Sequence, residues 1–399
     1  PLVAVPVIPE QSSRASADDP WLQSPVALCA QHALVVGAGF AGMGVAQSLA
    51  LRGWRVTVID SDWNQNTSTH QHHAAAALTP MVSKDDNIRA RLSRAGSLRA
   101  QSRWGELPET ILQRCGAVQL QREQGRTVDL FAVLEALQFP RQWVEYVSAE
   151  KASALAGISL GRGGIYFPTA ARVSPQGLLN TLAQTPGVEM QAGQVYRISN
   201  SSGLWQVLDP FGKVLASAPH VVLAGGLTTQ TVLKQSGLLK NNARLEAMHA
   251  LGGEVSFIPS ADLAGGPKCI VAGDGYVLPD FEGHCVIGST YAHGAMQASV
   301  TLEGLAGNLK RAAGLLNIPM FSERFNNRKL GGWAGWRAVL PGRLPAIGPV
   351  LHAPGVWVAC GYASRGLTWA TLGGDLIAGA LNGEPLVLEN DIIEAISDN

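Results

Sequence analysis

Three glycines, Gly37, Gly39 and Gly42, stand in G-x-G-x-x-G spacing, and Asp60 follows the last of them by eighteen residues. Residues of these types at this spacing bind the pyrophosphate and ribose of a dinucleotide. The first glycine permits a tight strand-to-helix turn and the second lets the backbone approach the phosphates. The third allows close helix-on-strand packing, and an acid roughly 20 residues on accepts from ribose hydroxyls. Phe40 and Ala41 share that turn. The chemistry implied is that of an ADP-containing cofactor, held by free N–H groups at a helix N-terminus.

Such a turn works only if strand and helix hold it in place. The flanking sequence supplies both: an apolar run over 33–36, an apolar helix over 45–51 stopped by Gly53, and a second apolar strand over 56–59 ending at the acid. Later segments read as a basic helix over 87–104, a helix over 175–183, paired strands over 188–208 and a short apolar strand over 218–226 ending in glycines. Ala224 and Gly225 end that strand, either where its backbone passes close to a bound cofactor or as the glycine turn of an ordinary buried parallel strand. Strands dominate 245–328, punctuated by turn signals, and a loop over 361–368 runs into a helix over 369–381.

Bulk properties bound the rest. The chain has 399 residues, 46% hydrophobic and 15% charged, with 45 glycines and a formal net charge of +0. That suits a large α/β enzyme and leaves no overall field to hold a polyanion, so an RNA contact must come from a local patch. Five scattered cysteines without a C-x-x-C argue against a disulfide framework or a zinc site and suit a reducing cytoplasm. No window approaches the roughly 18 apolar residues of a membrane span, so no membrane association is expected. Residues 1–30, rich in Pro, Ser, Ala and Gln, read as a linker or tail, as in a piece of a longer chain.

Beyond the glycine fingerprint, further runs form a set: LTPMVSKDDN over 78–87, CGAVQL over 115–120, GGIYFP over 163–168, DGY over 274–276, Arg337, and SRGL over 364–367. With these motifs the chain resembles the FAD-dependent oxidoreductase half of the bifunctional enzymes that make 5-methylaminomethyl-2-thiouridine in tRNA. Those belong to the D-amino-acid oxidase and glycine oxidase superfamily. The resemblance implies a mixed α/β fold, with a Rossmann-like FAD-binding domain over 31–110, 164–235 and 335–399. It implies a discontinuous second domain over 111–163 and 236–334, built on a mostly antiparallel sheet. It also implies bound FAD, tRNA as substrate, and a methyltransferase domain N-terminal to this half in the same full-length chain. The reaction implied is oxidation of a carboxymethylaminomethyl group on the wobble uridine. Hydride passes to flavin N5 and the imine hydrolyses to aminomethyl uridine and glyoxylate. Two other readings stay open: a flavin oxidase of free small amines or amino acids such as glycine or sarcosine, and a catalytically altered tRNA-binding module.

Amine oxidation by a flavin needs a neutral amine, a C–H placed over the ring and a cation for any carboxylate. Arg337 is the candidate cation, in a segment where the superfamily clamps a carboxylate in a bidentate fork, although the same residue type also makes interdomain ion pairs. Tyr276 and Tyr291 are candidate hydrogen-bond partners of that carboxylate or ordinary core tyrosines. Lys84 either lies near the flavin or caps a solvent-facing turn beside Asp85 and Asp86. Ala77 and Leu78 are expected along the flavin, with Ser364, Arg365, Gly366, Leu367 and Thr368 presenting backbone N–H groups to its carbonyl edge. Three departures from the family pattern reshape this region: QHHAAA over 71–76 replaces S-G-N-x-x-G, Gly252 replaces an arginine, and Gly342 replaces an acid. His70, His72 and His73 lack the cysteine or carboxylate partners of a metal site, so no metal is expected. Arg89, Arg91, Arg94, Arg99 and Arg103, uninterrupted by acids, could meet phosphates or simply form a solvated helix face. The shorter run Arg324, Arg328 and Lys329 adds little to that argument.

Overall fold

The computed structural model describes Trp21 and residues 31–63, 70–122, 128–240, 242–294, 297–318, 321–325 and 329–397. Among these, no helix is long and apolar enough to cross a membrane. Of the expected linker over 1–30 only Trp21 is described. It is buried, edge-on to Trp357, and its indole N–H donates to Ser397 Oγ at 2.8 Å. The rest of that expectation lies outside the described residues, as does Arg328.

Two sheets organise the molecule. The first has six strands, in the order Ala346–Pro349, Val356–Cys360, His220–Leu223, β1 (His32–Val36), β2 (Arg55–Asp60), Val188–Ala192. Every pairing in it is parallel except that of the Ala346–Pro349 edge strand. The continuous apolar run of β1 reflects burial on both faces. Ala33 and Val35 face a core shared with helices, while Leu34 and Val36 face a core shared with a three-stranded sheet over 197–218. The segment expected as paired strands over 188–208 therefore splits. Val188–Ala192 joins β2, and only Arg197–Ser201 and Leu204–Leu208 form the hairpin.

Helix α1 (Phe40–Ala50) follows the glycine turn and crosses the Gly366–Leu381 helix at very short range. An ideal Cβ on Gly44 would lie 2.3 Å from the Ala370 carbonyl oxygen. This crossing holds the start of the Gly366–Leu381 helix against the start of α1. The strand β3 (Ala76–Leu78) comes next, then helix α2 (Ile88–Trp104), whose N-cap Asn87 accepts from the Ala90 N–H.

The second sheet has eight strands, in the order Gly332–Val339, His249–Pro259, His284–Gly288, Gly275–Val277, Ile270–Gly273, Ala117–Leu120, Gly164–Phe167, Glu145–Val147. All its pairings are antiparallel except the one between Ile270–Gly273 and Ala117–Leu120. One face packs on the Leu302–Leu316 helix. That fifteen-residue helix stands inside the stretch expected to be dominated by strands. Glu254 holds its start, accepting from the Thr301 N–H and hydroxyl. The pairing also shifts two expected boundaries. Gly164–Phe167 pairs with second-sheet strands at once, and Gly335 to Val339 complete the second sheet's edge strand. Hydrogen bonding to neighbours, which the linear pattern does not carry, assigns both segments to that sheet.

Candidate active site

A cavity of ≈ 600 Å³ opens between the two sheets. Gly37 forms its sharp corner with φ +106°, a conformation that strains any residue with a Cβ, and its N–H donates to the Ile59 carbonyl at 2.9 Å. Gly39 follows as the N-cap of α1 without any side-chain cap, and a Cβ built there meets no protein atom within 4 Å. The free N–H groups of α1 therefore face open space. At the end of β2, Asp60 lines the same cavity, its Oδ2 accepting from the Ala38 N–H at 2.7 Å and its Oδ1 from Asp62 at 2.9 Å. A carboxylate has about four lone-pair sites, so acceptor capacity remains.

A second uncapped helix start opens on this cavity. Ser364, Arg365, Gly366, Leu367 and Thr368 all line it at the head of the Gly366–Leu381 helix. Gly42 instead does its work against the strand, where a Cβ would sit 1.9 Å from the Gly37 carbonyl oxygen. Arg365 Nη1 donates to the Thr79 carbonyl at 3.0 Å, tying this loop to the end of β3, and burial lowers the pKa of the side chain. Ala224 and Gly225 complete this half, together with Phe40, Ala41 and Ala77.

The second sheet supplies the other wall. Arg337 reaches into it from the Gly332–Val339 edge strand. Its guanidinium donates to the Gly252 and Thr290 carbonyls at 3.3 and 3.2 Å and to Ser289 Oγ at 2.9 Å. It lies over the Tyr291 ring, 4.8 Å from the centroid. Among the described residues no carboxylate forms an ion pair with it. Room for it comes from Gly253, where a Cβ would stand 1.8 Å from Nη1. Tyr276 also lines this wall, its phenol pushed up to about 12 by burial against the opposing pull of Arg337, so it stays neutral.

Three expected placements are corrected. Lys84 is exposed and absent from the cavity wall, which fits its solvent-facing turn. Leu78 turns into the apolar core beneath β3, because alternation along a strand sends neighbouring side chains to opposite faces. The arginines of α2 do not form a free basic face. Arg94 pairs with Asp86 at 2.7 Å, Arg91 with Asp391, and Arg99 and Arg103 with Asp375. Asp375 also receives Arg52 at 3.1 Å. Burial pushes that carboxyl up, but the guanidiniums, Arg99 foremost, outweigh it and hold it below the usual range. Asp375 and Asp391 lie on distant segments, so inspection of 86–106 alone could not reveal them.

The histidine stretch was legible as a departure but not as a structure. The His73 ring stacks on Trp333 at 4.0 Å and 4°, and His70 Nδ1 lies 3.2 Å from His73 Nδ1. Phe40 packs 4.4 Å from His70 on the other side. Burial lowers His70 to about 4, and burial with the neighbouring His70 and Arg337 holds His73 well below 6.5. Both rings therefore stand neutral between the glycine turn and the second sheet. Among the described residues no group of three or more His, Cys, Asp or Glu side chains is placed to hold a metal ion.

Comparison with known proteins fits this architecture. The family model described as FAD dependent oxidoreductase matches residues 32–380. The chain belongs to that family. Among curated relatives, the tRNA 5-methylaminomethyl-2-thiouridine biosynthesis bifunctional protein of Cupriavidus necator is 34% identical over 93% of this chain, and that of Ralstonia nicotianae 32% over 92%. The chain spans about 60% of the length of these relatives. Similar solved structures of the family fold include glycine oxidase from Geobacillus kaustophilus, with TM-score 0.69 and 22% identity over 92% of this chain and 98% of that one. Iminodiacetate oxidase from Chelativorans sp. BNC1 has TM-score 0.71 and 21% identity over the same shares.

Proposed function

We propose that this chain binds FAD in the cavity and oxidises the carboxymethylaminomethyl group of a wobble uridine in tRNA to an aminomethyl group, with glyoxylate as co-product. The observation that carries the proposal is Arg337: a guanidinium without a carboxylate partner among the described residues, seated over Gly253 in the cavity that also holds two uncapped helix starts. Helix starts of this kind suit the pyrophosphate and the carbonyl edge of FAD, and Asp60 suits its ribose. Gly37, Gly39, Phe40, Ala41, Ala224 and Gly225 would flank the nucleotide half. Residues Ser364 to Thr368, with Ala77, would flank the ring. When bound, FAD supplies the two-electron oxidation that converts a carbon–nitrogen single bond to an imine open to hydrolysis.

The chain's own residues do the positioning. Arg337 takes the substrate carboxylate as a bidentate fork, and the Gly252, Thr290 and Ser289 acceptors behind it hold the fork in place. Tyr276, neutral through burial, donates to the same carboxylate. The cation also disfavours an ammonium beside it, which keeps the amine in its reactive neutral form. The names of the curated relatives support tRNA as the carrier of that amine. The arginines of α2 do not, because four of them are paired within the chain. An N-terminal methyltransferase partner domain fits the part of the relatives' length that this chain does not span, and a cytoplasmic location fits a tRNA substrate.

A free carboxylated amine would use the same clamp, so the test compares the two. The flavin of the FAD-loaded protein is titrated anaerobically with hypomodified tRNA carrying carboxymethylaminomethyl uridine, and separately with glycine and sarcosine. Bleaching by the tRNA at far lower concentration is expected. Bleaching by the small amines alone would replace this reading with a free amine oxidase, and a protein that binds no FAD would end both.

A further inference from the structure

Two large aromatic side chains line the cavity while remaining open to solvent: Tyr291, 52% exposed, and Trp336, 38% exposed. They are linked through the short bridge between Gly252 and Ala292. A Cβ at Gly252 would lie 3.4 Å from both the Trp336 ring and the Ala292 methyl, so the indole rests on bare backbone beside Tyr291's neighbour. Val300 and Leu302, 45% and 86% exposed, extend the apolar surface, and Val300 packs at Gly332 on the same strand as Trp336.

Buried aromatic rings are explained by packing. Exposed rings at a cavity entrance are not, and a small amine sealed inside would leave them idle. We infer that Tyr291 and Trp336 form a stacking platform for nucleobases of single-stranded RNA, with the reacting uracil on Tyr291 and an adjoining base on Trp336. Reach supports the assignment. The carboxylate carbon of a carboxymethylaminomethyl group is separated from uracil C5 by four bonds, an extended span of about 5 Å. The Tyr291 ring stands 4.8 Å from the Arg337 guanidinium carbon. A carboxylate held by Arg337 therefore brings its base to the level of Tyr291, outside the closed part of the cavity. Arg337 also fixes the tyrosine ring from behind, so little side-chain freedom remains to be lost when a base stacks. Sequence-specific and shape-specific readers of RNA loops take splayed bases on aromatic rings in this way.

This inference rests on the tRNA reading above, and the experiment separates the two. The FAD-loaded wild type and the variants Tyr291→Ala, Tyr291→Phe, Trp336→Ala and Trp336→Phe are titrated anaerobically with the same hypomodified tRNA, following flavin bleaching. Loss of one stacked base is expected to raise the apparent Kd by about 5- to 100-fold in each Ala variant. The Phe variants, which keep a π-face, are expected within about twofold of wild type. Both positions are exposed, so melting temperature and flavin content should match wild type in all four. Ala variants that bind the tRNA as wild type does, while wild type is bleached by it, overturn the platform alone. Phe variants as weak as the Ala variants also overturn it, because a role other than stacking would then be at work. A wild type that tRNA does not bleach overturns the tRNA reading and the platform with it.

Discussion

Gly253→Ala tests the carboxylate clamp without touching a charged residue. An ideal Cβ at 253 lies 1.8 Å from Arg337 Nη1, 2.4 Å from Cζ and 2.5 Å from Nη2. All three are far inside contact distance, and the colliding atoms are the free end of a flexible side chain. The strand backbone therefore stays and the guanidinium leaves its acceptors at Gly252, Ser289 and Thr290. Alanine is better tolerated than glycine inside a strand by roughly 0.5–1 kcal/mol, which only partly offsets the three charge-assisted bonds lost, so melting should fall, and by no more than in Arg337→Met. A hydrogen bond to a charged group is worth about 1.5–3 kcal/mol, so losing one prong of the fork raises Kd for the carboxylated amine about 10- to 100-fold, and losing both raises it further. Kd is read from anaerobic flavin bleaching, with Arg337→Met and the double variant measured alongside. Since Gly253 acts only through Arg337, the double variant should be no weaker than Arg337→Met alone. A Gly253→Ala protein that binds within twofold of wild type, or a double variant whose losses simply add, would refute the clamp.

Other expectations follow from the same geometry. Asp375→Asn leaves the guanidiniums of Arg52, Arg99 and Arg103 around an uncharged amide; a loss of about 3 kcal/mol in urea unfolding is expected, and under about 1 kcal/mol would show that the cluster is solvated surface. Gly39→Val adds a side chain where no protein atom lies within 4 Å, so the protein should fold and melt normally as apoprotein yet purify colourless; normal flavin content would contradict the cofactor assignment. Gly44→Val pushes a methyl-bearing carbon at the Ala370 carbonyl, 2.3 Å away, and neither helix backbone can yield cheaply. Overpacking of this kind costs about 1–3 kcal/mol or more, and a variant as stable as wild type would contradict the close crossing. His70 stands at about 4 against an ordinary 6.5, so between these values the unfolded chain binds the extra proton. Its contribution is complete above about pH 6.5 and lost as pH falls towards 4, about 3 kcal/mol in all. The pH dependence of the urea midpoint across that window should flatten in His70→Phe, and an unchanged slope would place the titration elsewhere.

Local signals determined much of this protein. The glycine turn, the two apolar strands and Asp60 are neighbours in sequence, and their spacing alone specified a nucleotide cradle, because the tight turn and helix start are local devices. The helices over Ile88–Trp104 and Pro175–Ala183 were equally legible from periodicity. The motifs also carried the family, which the match over 32–380 bears out.

What only the tertiary structure decided is how distant segments meet. Charge along α2 looked free for RNA, but Asp375 and Asp391 lie nearly three hundred residues away and neutralise it. Lys84 and Leu78 sat in a diagnostic motif, yet exposure and strand alternation send both side chains away from the cavity. The Leu302–Leu316 helix was hidden among strand signals, held at its start by Glu254 from the neighbouring sheet. Gly253 carries no chemistry of its own. Its role as the space for Arg337 exists only because two antiparallel strands place Gly253 opposite Gly335, two residues from the arginine. A sequence displays which groups can react and which turns can form. Which charges are paired, and which side chains share a wall, depends on contacts between residues far apart along the chain.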